Sequence, residues 1–171
     1  MPRLILLNGP PGSGKSTLAR RYADDHPLTL ALDVDRVRAL IGGRREAPGP
    51  AGLLARDIAV AAARTHLAAG HDVGVPQLLA RPEFPGRLEA LARETGASFY
   101  EIVLLPGRDE ALRRFAERGS SDIETAERLT EHQLTAAYDR VAAFAADRPG
   151  VSILPAGKIE ETYRALLASL G

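Results

Sequence analysis

The fold of this chain can be inferred from nine residues near its amino terminus, Gly9-Pro10-Pro11-Gly12-Ser13-Gly14-Lys15-Ser16-Thr17. They match the pattern G-x-x-x-x-G-K-[ST] in full, in which glycines let successive backbone N–H groups point at phosphate oxygens. The aliphatic residues 4–7 come just before and predict a buried strand, and a helix is predicted at about 15–25. A strand, this loop and a helix, in that order, predict a site for the phosphates of a nucleoside triphosphate.

The loop residues have different expected tasks. We expect the Lys15 ammonium to bridge the β- and γ-phosphates, the Ser16 hydroxyl to bind Mg²⁺ and Thr17 to reach the α-phosphate. Lys15 is one of only two lysines among 22 lysines and arginines, which supports a specific task because an ammonium and a guanidinium are not interchangeable in a phosphate cradle. The predicted nucleotide-binding residues of the loop are Gly9, Pro11, Gly12, Ser13, Gly14, Lys15, Ser16 and Thr17.

Short apolar runs alternate with amphipathic segments along the rest of the chain. Further strands are predicted at 28–32, 73–75, 99–105 and 151–154. Further helices are predicted at 35–41, 53–69, 84 to a stop at Gly96, 110–117, 125–147 and about 159–170, with a loop at 42–52. This alternation predicts one α/β domain over residues 1–171, in which about five parallel strands are covered by helices on both faces.

The composition excludes several classes of protein. The 171 residues carry 22 Lys+Arg and 22 Asp+Glu, and this zero net charge argues against a general nucleic-acid coat. The absence of cysteine excludes thiol redox chemistry and Cys-based zinc sites. No apolar run approaches the ~20 residues of a membrane span, so we expect a cytoplasmic protein without a membrane partner. The sequence does not predict the oligomeric state.

Two carboxylates, Asp33 and Asp35, follow the second predicted strand. Strand ends line the ligand crevice of a doubly wound sheet, so both should lie beside the γ-phosphate. One carboxylate could accept the proton of an attacking hydroxyl while Arg38, one helical turn further on, holds the acceptor. Ordinary helix capping would explain the same residues, with Asp35 as the N-cap of the helix and Arg38 as a solvated surface residue.

The phosphate loop, followed by a strand that ends in Asp-x-x-Arg, resembles the small P-loop kinases. These include polynucleotide 5′-hydroxyl kinase, zeta-toxin-like kinases, chloramphenicol phosphotransferase and adenylylsulfate kinase. The polynucleotide kinase domain has the most similar pattern, with residues 11–17 of the loop and with Asp35 and Arg38 at the same interval. The resemblance implies a three-layer P-loop NTPase fold, ATP and Mg²⁺ as cofactors, Lys15 and Asp35 as catalytic residues and Arg38 as a catalytic, acceptor-positioning residue.

A second segment, Leu112-Arg113-Arg114-Phe115-Ala116-Glu117-Arg118-Gly119, resembles the arginine-bearing lid of these kinases, at about 114–126. By resemblance Arg118 would stabilise charge on the transferring phosphoryl group, as an arginine finger in the same chain. Arg114 lies one turn earlier, so both arginines could face the nucleotide phosphates. A solvated, arginine-rich helix face is the alternative interpretation.

The chain departs from the polynucleotide kinase pattern at Gln77, where that kinase has an aspartate. Gln77 could bind an acceptor by a hydrogen bond but supplies no charge for Mg²⁺, which leaves the metal to Ser16, Asp33, ATP oxygens and water. Together with the zero net charge, this favours a small-molecule hydroxyl as the phosphoryl acceptor.

Two alternatives stay open at this point. One is a polynucleotide 5′-hydroxyl kinase, in which nucleic acid is the partner. The other is a nucleotide-binding switch or NTPase without an acceptor. The chain has no Asn-Lys-x-Asp base-reading motif and no clear acidic Walker B residue, which argues against this second alternative.

Overall fold

A parallel β-sheet organises the chain in the computed structural model, which describes residues 1–117 and 130–171. The strands are β1 (Arg3–Asn8), β2 (Leu30–Ala31), β3 (Val73–Pro76), β4 (Ser98–Leu105) and β5 (Ser152–Pro155). The helices are α1 (Lys15–Asp25), α2 (Val34–Ala39), α3 (Pro48–Ala68), α4 (Glu83–Thr95), α5 (Arg108–Glu117), α6 (Glu131–Asp147) and α7 (Ile159–Leu170).

The strand order is β2-β3-β1-β4-β5, and every pairing is parallel. This confirms the predicted α/β fold with its five-stranded sheet. β1 is the central strand, with Leu6 opposite Val75 of β3 and Glu101 of β4. The chain continues on one side of β1 with β2 and β3 and on the other with β4 and β5, so the loop after β1 lies at the topological switch point of the sheet, where ligands bind in this architecture.

Both faces of the sheet are buried. Because side chains alternate along a strand, Leu4 and Leu6 of β1 face one side and Ile5 and Leu7 face the other. The first side packs against helices α2, α3 and α4 through residues that include Val34, Ala55, Ala59, Phe84 and Leu88. The second packs against α1 and α7 through residues that include Leu18, Ala19, Tyr22, Tyr163 and Leu166. The sheet therefore separates two large apolar cores, and a smaller apolar cluster of Val103, Val141 and Ala145 lies between β4 and α6.

Helix α3 begins at Pro48, earlier than predicted, so the predicted loop at 42–52 is wrong over its last five residues. Glycine and proline suggested a loop there, but proline at the first helical positions has its φ already set for a helix and lacks an N–H that would in any case be unpaired. The buried face of α3 is a stripe of small side chains, Ala51, Ala55, Ala59 and Ala63, one turn apart. These let α3 pack closely against its neighbours, α2, α4 and β3.

Helix α6 begins at Glu131, and its predicted start at 125 is wrong. Thr130 has extended backbone angles and caps the helix: its hydroxyl accepts from the Gln133 N–H at 3.2 Å, and the Gln133 amide oxygen accepts from the Thr130 N–H at 2.8 Å. This reciprocal capping box stops a helix from continuing backwards. Of the lid predicted at about 114–126, the part beyond Glu117 lies outside the described residues.

The predicted strand at 28–32 is shorter in the structure, where only Leu30 and Ala31 pair with β3. Leu28 has a left-handed φ of 64° and cannot extend the strand. In the two described ranges, no helix has the length and apolar character needed to span a bilayer.

We expect Ala59→Leu to lower the free energy of unfolding by about 1–3 kcal/mol, because Ala59 is 1% exposed and a larger side chain must displace α3 from the elements it packs against. Ala61→Leu, at an exposed position of the same helix, is the matched control and should change stability by less than about 0.5 kcal/mol. Urea unfolding measures both. Equal stability of the two variants would contradict close packing of the alanine stripe.

Candidate active site

The loop after β1 has a conformation that its glycines make possible. A Cβ at Gly9 would lie 2.5 Å from the Ser13 hydroxyl and 2.7 Å from the Leu104 carbonyl oxygen, so a side chain does not fit there. Gly14 precedes α1 with a left-handed φ of 92°, where a side chain would be strained. The first N–H groups of α1 follow directly and have no carbonyl partner within the helix. The helix N-terminus therefore presents backbone donors and the positive end of its dipole to an anion.

Lys15 folds back over this loop. Its Nζ donates to the Pro10 carbonyl at 2.9 Å and to the Ser13 hydroxyl at 3.4 Å. The ammonium thus lies against the same turn whose N–H groups would bind phosphates. The eight residues predicted to bind nucleotide lie together in the loop after β1 and in the first turn of α1, which is the geometry that the motif requires.

Asp33 joins this loop to α2. The Ser16 hydroxyl donates to Asp33 Oδ2 at 3.3 Å, and Asp33 Oδ1 accepts from the backbone N–H of Asp35 at 3.0 Å and of Arg36 at 3.4 Å. Asp33 is therefore the N-cap of α2, so the alternative interpretation with Asp35 as the cap is wrong. Capping by Asp33 leaves the Asp35 side chain available for another task.

The Ser16 hydroxyl and the Asp33 carboxylate offer two oxygens side by side, and oxygen is the ligand that Mg²⁺ prefers. Within the ranges 1–117 and 130–171, no three His, Cys, Asp or Glu side chains converge on a point. A magnesium ion here would need most of its ligands from nucleotide oxygens and water, as is usual for this ion beside substrate phosphates. The residues present fit such a site.

Asp35 lies on the first turn of α2 with its side chain half-exposed. Burial raises its pKa above the usual range, and the neighbouring Asp33 carboxylate raises it further, while the positive charges of Arg38, Lys15 and Arg56 oppose the shift. Arg38 Nη2 lies 4.0 Å from Asp35 Oδ1, too far for a hydrogen bond. Asp35 is therefore more basic than an ordinary aspartate, and it lies close enough to Lys15 for the lysine's positive charge to act on it.

Gln77 follows β3, next to the phosphate loop, and its N–H donates to the Leu7 carbonyl at 3.0 Å. Its side-chain Oε1 is buried, and no donor from the described part of the chain reaches it. Most buried polar atoms in proteins have a partner, so an exception beside a phosphate loop marks an atom that a ligand could satisfy.

Asn8 is a structural residue of the site that sequence reasoning missed. It is fully buried, and its Nδ2 donates to the Leu79 carbonyl at 2.9 Å. Its Oδ1 accepts from the N–H groups of Leu79 and Gly9, both at 2.8 Å. One amide thus ties the phosphate loop to the segment after β3 that carries Gln77. The sequence held only a weak signal, a polar residue at the end of an aliphatic strand.

A cleft of about 410 Å³ lies on the other side of the phosphate loop, bordered by α1, α5 and the turn between β5 and α7. Arg114 lines it together with Thr17, Leu18 and Lys158. The Arg114 guanidinium donates to Glu110 Oε1 and to the Gly157 carbonyl, both at 2.7 Å. The structure therefore places Arg114 beside the phosphate loop, with its guanidinium hydrogen-bonded to Glu110 and Gly157. Arg118 lies outside the described residues.

Arg56 of α3 is the second residue that sequence reasoning missed. Its guanidinium lies over the Phe84 ring, 5.5 Å from the centroid, and its charge acts on Asp35. In the sequence it is one arginine in an alanine-rich helix, and nothing local distinguishes it from a solvated surface residue.

A phosphate loop between the central strand of a parallel sheet and a helix N-terminus defines a P-loop nucleotide-binding protein. Residues 4–144 match the family model described as an AAA domain, and the chain belongs to this family of P-loop, kinase-like domains. This confirms the predicted resemblance to small P-loop kinases.

Known proteins similar to this chain include an adenylate kinase from Synechococcus sp. (strain RCC307), 30% identical over 154 residues, which are 83% of this chain and 82% of that protein. The structure of APS kinase from Mycobacterium tuberculosis in complex with AMPPNP and APS has a TM-score of 0.67 at 18% identity, and covers 99% of this chain and 97% of that one. A chain of the Pnkp1/Rnl/Hen1 RNA repair complex has a TM-score of 0.68 at 18% identity, over 91% of this chain and 49% of that one. The two structures share the fold.

We expect Asn8→Ala to lower the free energy of unfolding by about 2–4 kcal/mol, because it leaves buried backbone groups of Gly9 and Leu79 unpaired. It should also weaken binding of AMPPNP by about tenfold or more, since the phosphate loop loses its tether. Urea unfolding and isothermal titration calorimetry measure the two effects.

Thr95→Ala is the control for Asn8→Ala. It removes the side-chain hydrogen bonds to the Leu91 and Ala92 carbonyls at the end of α4. It should leave the affinity for AMPPNP unchanged. An Asn8→Ala protein with wild-type nucleotide affinity would show that the tether is not needed for binding.

Proposed function

We propose that this chain is an ATP- and Mg²⁺-dependent kinase that transfers the γ-phosphoryl group to the hydroxyl of a small molecule. The observation that carries the proposal is the position of Asp35, which lies one helical turn from Arg38 and is linked to the phosphate loop through Asp33 and Ser16. Bound ATP would supply the phosphoryl group, and a magnesium ion held in part by Ser16 and Asp33 would offset the negative charge of the phosphates.

The residues of the phosphate loop would bind and orient the nucleotide. Backbone N–H groups and the Lys15 ammonium would contact the phosphates, and Ser16 and Asp33 would contribute oxygens to the metal. Arg114 and Arg118 are proposed as further contacts to the nucleotide, with Arg118 stabilising charge on the transferring group. The part played by the protein is mostly positioning and charge compensation.

The acceptor side would supply the base. As the hydroxyl oxygen forms its bond to the γ-phosphorus, the bond from that phosphorus to the bridging oxygen of ADP breaks, and Asp35 takes the hydroxyl proton. Its raised pKa suits this task because a more basic carboxylate accepts a proton more readily. Arg38 would hold the acceptor, and Gln77 Oε1 would accept a hydrogen bond from it.

A small acceptor is favoured over a polynucleotide by the zero net charge and by the neutral Gln77. A second candidate function is phosphorylation of a nucleoside monophosphate, and the similarity to adenylate kinases favours it. The two functions differ in their need for a base. A phosphate monoester is already ionised near pH 7, since its second pKa is about 6, whereas a hydroxyl must lose its proton during transfer.

We expect Lys15→Ala to weaken AMPPNP binding in the presence of Mg²⁺ by about tenfold or more, because a charge-assisted contact to the phosphates is lost. Calorimetric titration measures the affinity. Arg164→Ala, at an exposed position of α7, is the control and should bind as the wild type does. Equal affinity of Lys15→Ala and the wild type would rule out the phosphate-binding task of Lys15.

We expect Asp35→Asn to reduce phosphoryl transfer to a hydroxyl by about 10²–10⁴-fold while AMPPNP affinity stays within twofold, because the amide cannot accept the proton. Transfer from γ-labelled ATP is measured on a panel of small alcohols, nucleosides, nucleoside monophosphates and a 5′-hydroxyl oligonucleotide. Asp57→Asn is the control, since Asp57 is an exposed carboxylate on α3 paired with Arg87.

Each outcome of this assay distinguishes the candidates. Transfer to a hydroxyl that survives Asp35→Asn would overturn the assignment of the base. Transfer to nucleoside monophosphates alone, undiminished in Asp35→Asn, would favour the second candidate. ATP consumption that no acceptor stimulates would instead indicate an NTPase or switch.

A further inference from the structure

Asp33 connects the phosphate loop to the start of α2 through two different oxygens. Its Oδ1 accepts from the backbone N–H of Asp35 at 3.0 Å and of Arg36 at 3.4 Å, and its Oδ2 accepts from the Ser16 hydroxyl at 3.3 Å. A carboxylate is a rigid planar group, so its two oxygens cannot move independently. An interaction that fixes Oδ2 on the side of the loop therefore also fixes Oδ1 and, through it, the first turn of α2.

Helix α2 has little local stability of its own. It has six residues, fewer than an isolated helix needs to be stable in water. Of these six residues, all of which the structure describes, only Val34 is buried. The strand before the helix, β2, has two residues and lies at the edge of the sheet. The cap that Asp33 provides is therefore important for the order of α2, which carries Asp35 and Arg38.

The contacts of Asp33 on the side of the loop are weak. The distance of 3.3 Å between Ser16 Oγ and Asp33 Oδ2 exceeds the usual range of about 2.5–3.0 Å for a hydrogen bond between two oxygens. Arg36 Nε lies 3.9 Å from the same Oδ2, and because the Arg36 side chain is 70% exposed, solvent screens this ion pair. The Asp33 side chain itself is only 19% exposed. A mostly buried carboxylate oxygen thus faces the loop with a long hydrogen bond and a screened ion pair.

A magnesium ion on the nucleotide phosphates would make this connection strong. Neighbouring ligands of an octahedral magnesium ion lie about 3 Å apart, because each is about 2.0–2.1 Å from the ion and they are at a right angle. Ser16 Oγ and Asp33 Oδ2 have nearly this separation. The other oxygen, Oδ1, could keep its hydrogen bonds to the start of α2 at the same time.

Capping alone does not explain a carboxylate at position 33. Asparagine and serine cap helices about as well as aspartate does, because they also accept from backbone N–H groups. Aspartate adds a negative charge, which gives a small further gain at a helix N-terminus and which Oδ2 can offer to a cation. A substitution can therefore remove the charge and keep the cap.

We propose that Asp33 is a positioning residue that couples the metal-bound nucleotide to α2. This inference rests on the proposed kinase function and extends it to the way in which the base is placed. When Mg²⁺ binds with the nucleotide, Asp33 Oδ2 is fixed beside Ser16, Oδ1 holds the start of α2, and α2 holds Asp35 and Arg38 in position. Coupling between two sites typically changes an equilibrium by about 5- to 150-fold.

The test is hydrogen exchange of the backbone N–H groups of residues 34–39, measured on the full chain by mass spectrometry. The wild type is compared in three states: free, saturated with AMPPNP and Mg²⁺, and saturated with AMPPNP and EDTA, with saturation checked by calorimetry. We expect AMPPNP with Mg²⁺ to slow exchange in α2 by about fivefold or more. AMPPNP with EDTA should slow it much less, because Asp33 then has no cation on the nucleotide to bind.

Asp33→Asn keeps the cap and removes the charge. Free α2 should exchange in this variant as it does in the wild type, and the slowing that depends on Mg²⁺ should be lost. Asp33→Ala removes both functions, so α2 should exchange faster even in the free protein. The matched control is Asp24→Asn, at an exposed carboxylate of α1, which should behave as the wild type does. Circular dichroism checks folding, and Asp33→Ser, which also keeps a capping oxygen, is the test if Asp33→Asn does not fold.

Failure of this inference can be separated from failure of the proposed function. A wild type that binds AMPPNP and Mg²⁺ without slower exchange in α2, or with equal slowing in EDTA, would overturn the coupling and leave the kinase proposal standing. Slowing that persists in Asp33→Asn, or wild-type exchange in free Asp33→Ala, would overturn the part assigned to Asp33. The same loss in Asp24→Asn would show a general charge effect and would also overturn it. A wild type that does not bind AMPPNP would count against the kinase proposal instead.

Discussion

The candidate site depends on one buried amide, that of Asn8. Its three hydrogen bonds join the end of the central strand to Gly9 and to the segment after β3. The phosphate loop follows β1 and the segment with Gln77 follows β3, so the Asn8 hydrogen bonds to Leu79 fix the position of one relative to the other. A fully buried amide with all of these partners satisfied is rigid, because any movement would leave polar groups unpaired.

The net charge of the chain is zero, but charged side chains are concentrated around Asp35. Lys15, Arg38 and Arg56 act on Asp35, while Asp33 opposes them from the cap of α2. Asp33 has two tasks at once, since one of its oxygens orders the start of α2 and the other accepts from Ser16. Because Asp33 satisfies the N–H groups at the start of α2, the Asp35 side chain on the same turn is not needed for capping. The scarcity of lysine in the sequence agrees with the specific place that Lys15 occupies.

The sequence predicted the parts of the site that are local in the chain. The motif and its flanking periodicity predicted α1 with its observed bounds, and the alternation of elements predicted the sheet. Boundaries were wrong where a strong local rule was misjudged, as with Pro48, which begins a helix, and Thr130, which stops one. Asn8 and Arg56 could not be predicted, because Asn8 binds Leu79, 71 residues away, and Arg56 lies over Phe84 of α4 and acts by its charge on Asp35 of α2. The order of strands and helices was enough to predict that Arg38 and Gln77 lie at the same edge of the sheet. It was not enough to predict which groups their side chains contact.

The sheet lies between two large apolar cores, so substitutions in one core are separated from substitutions in the other. Helices α1 and α7, which border the cleft beside the phosphate loop, pack on one face, and α2 and α3, which carry Asp35, Arg38 and Arg56, pack on the other. Because substitutions in contact couple strongly and distant ones add independently, either face can be repacked with little effect on the other. Changes to the apolar residues of α2, α3 and α4 can therefore be made while the core beneath the cleft, formed by α1 and α7, is kept.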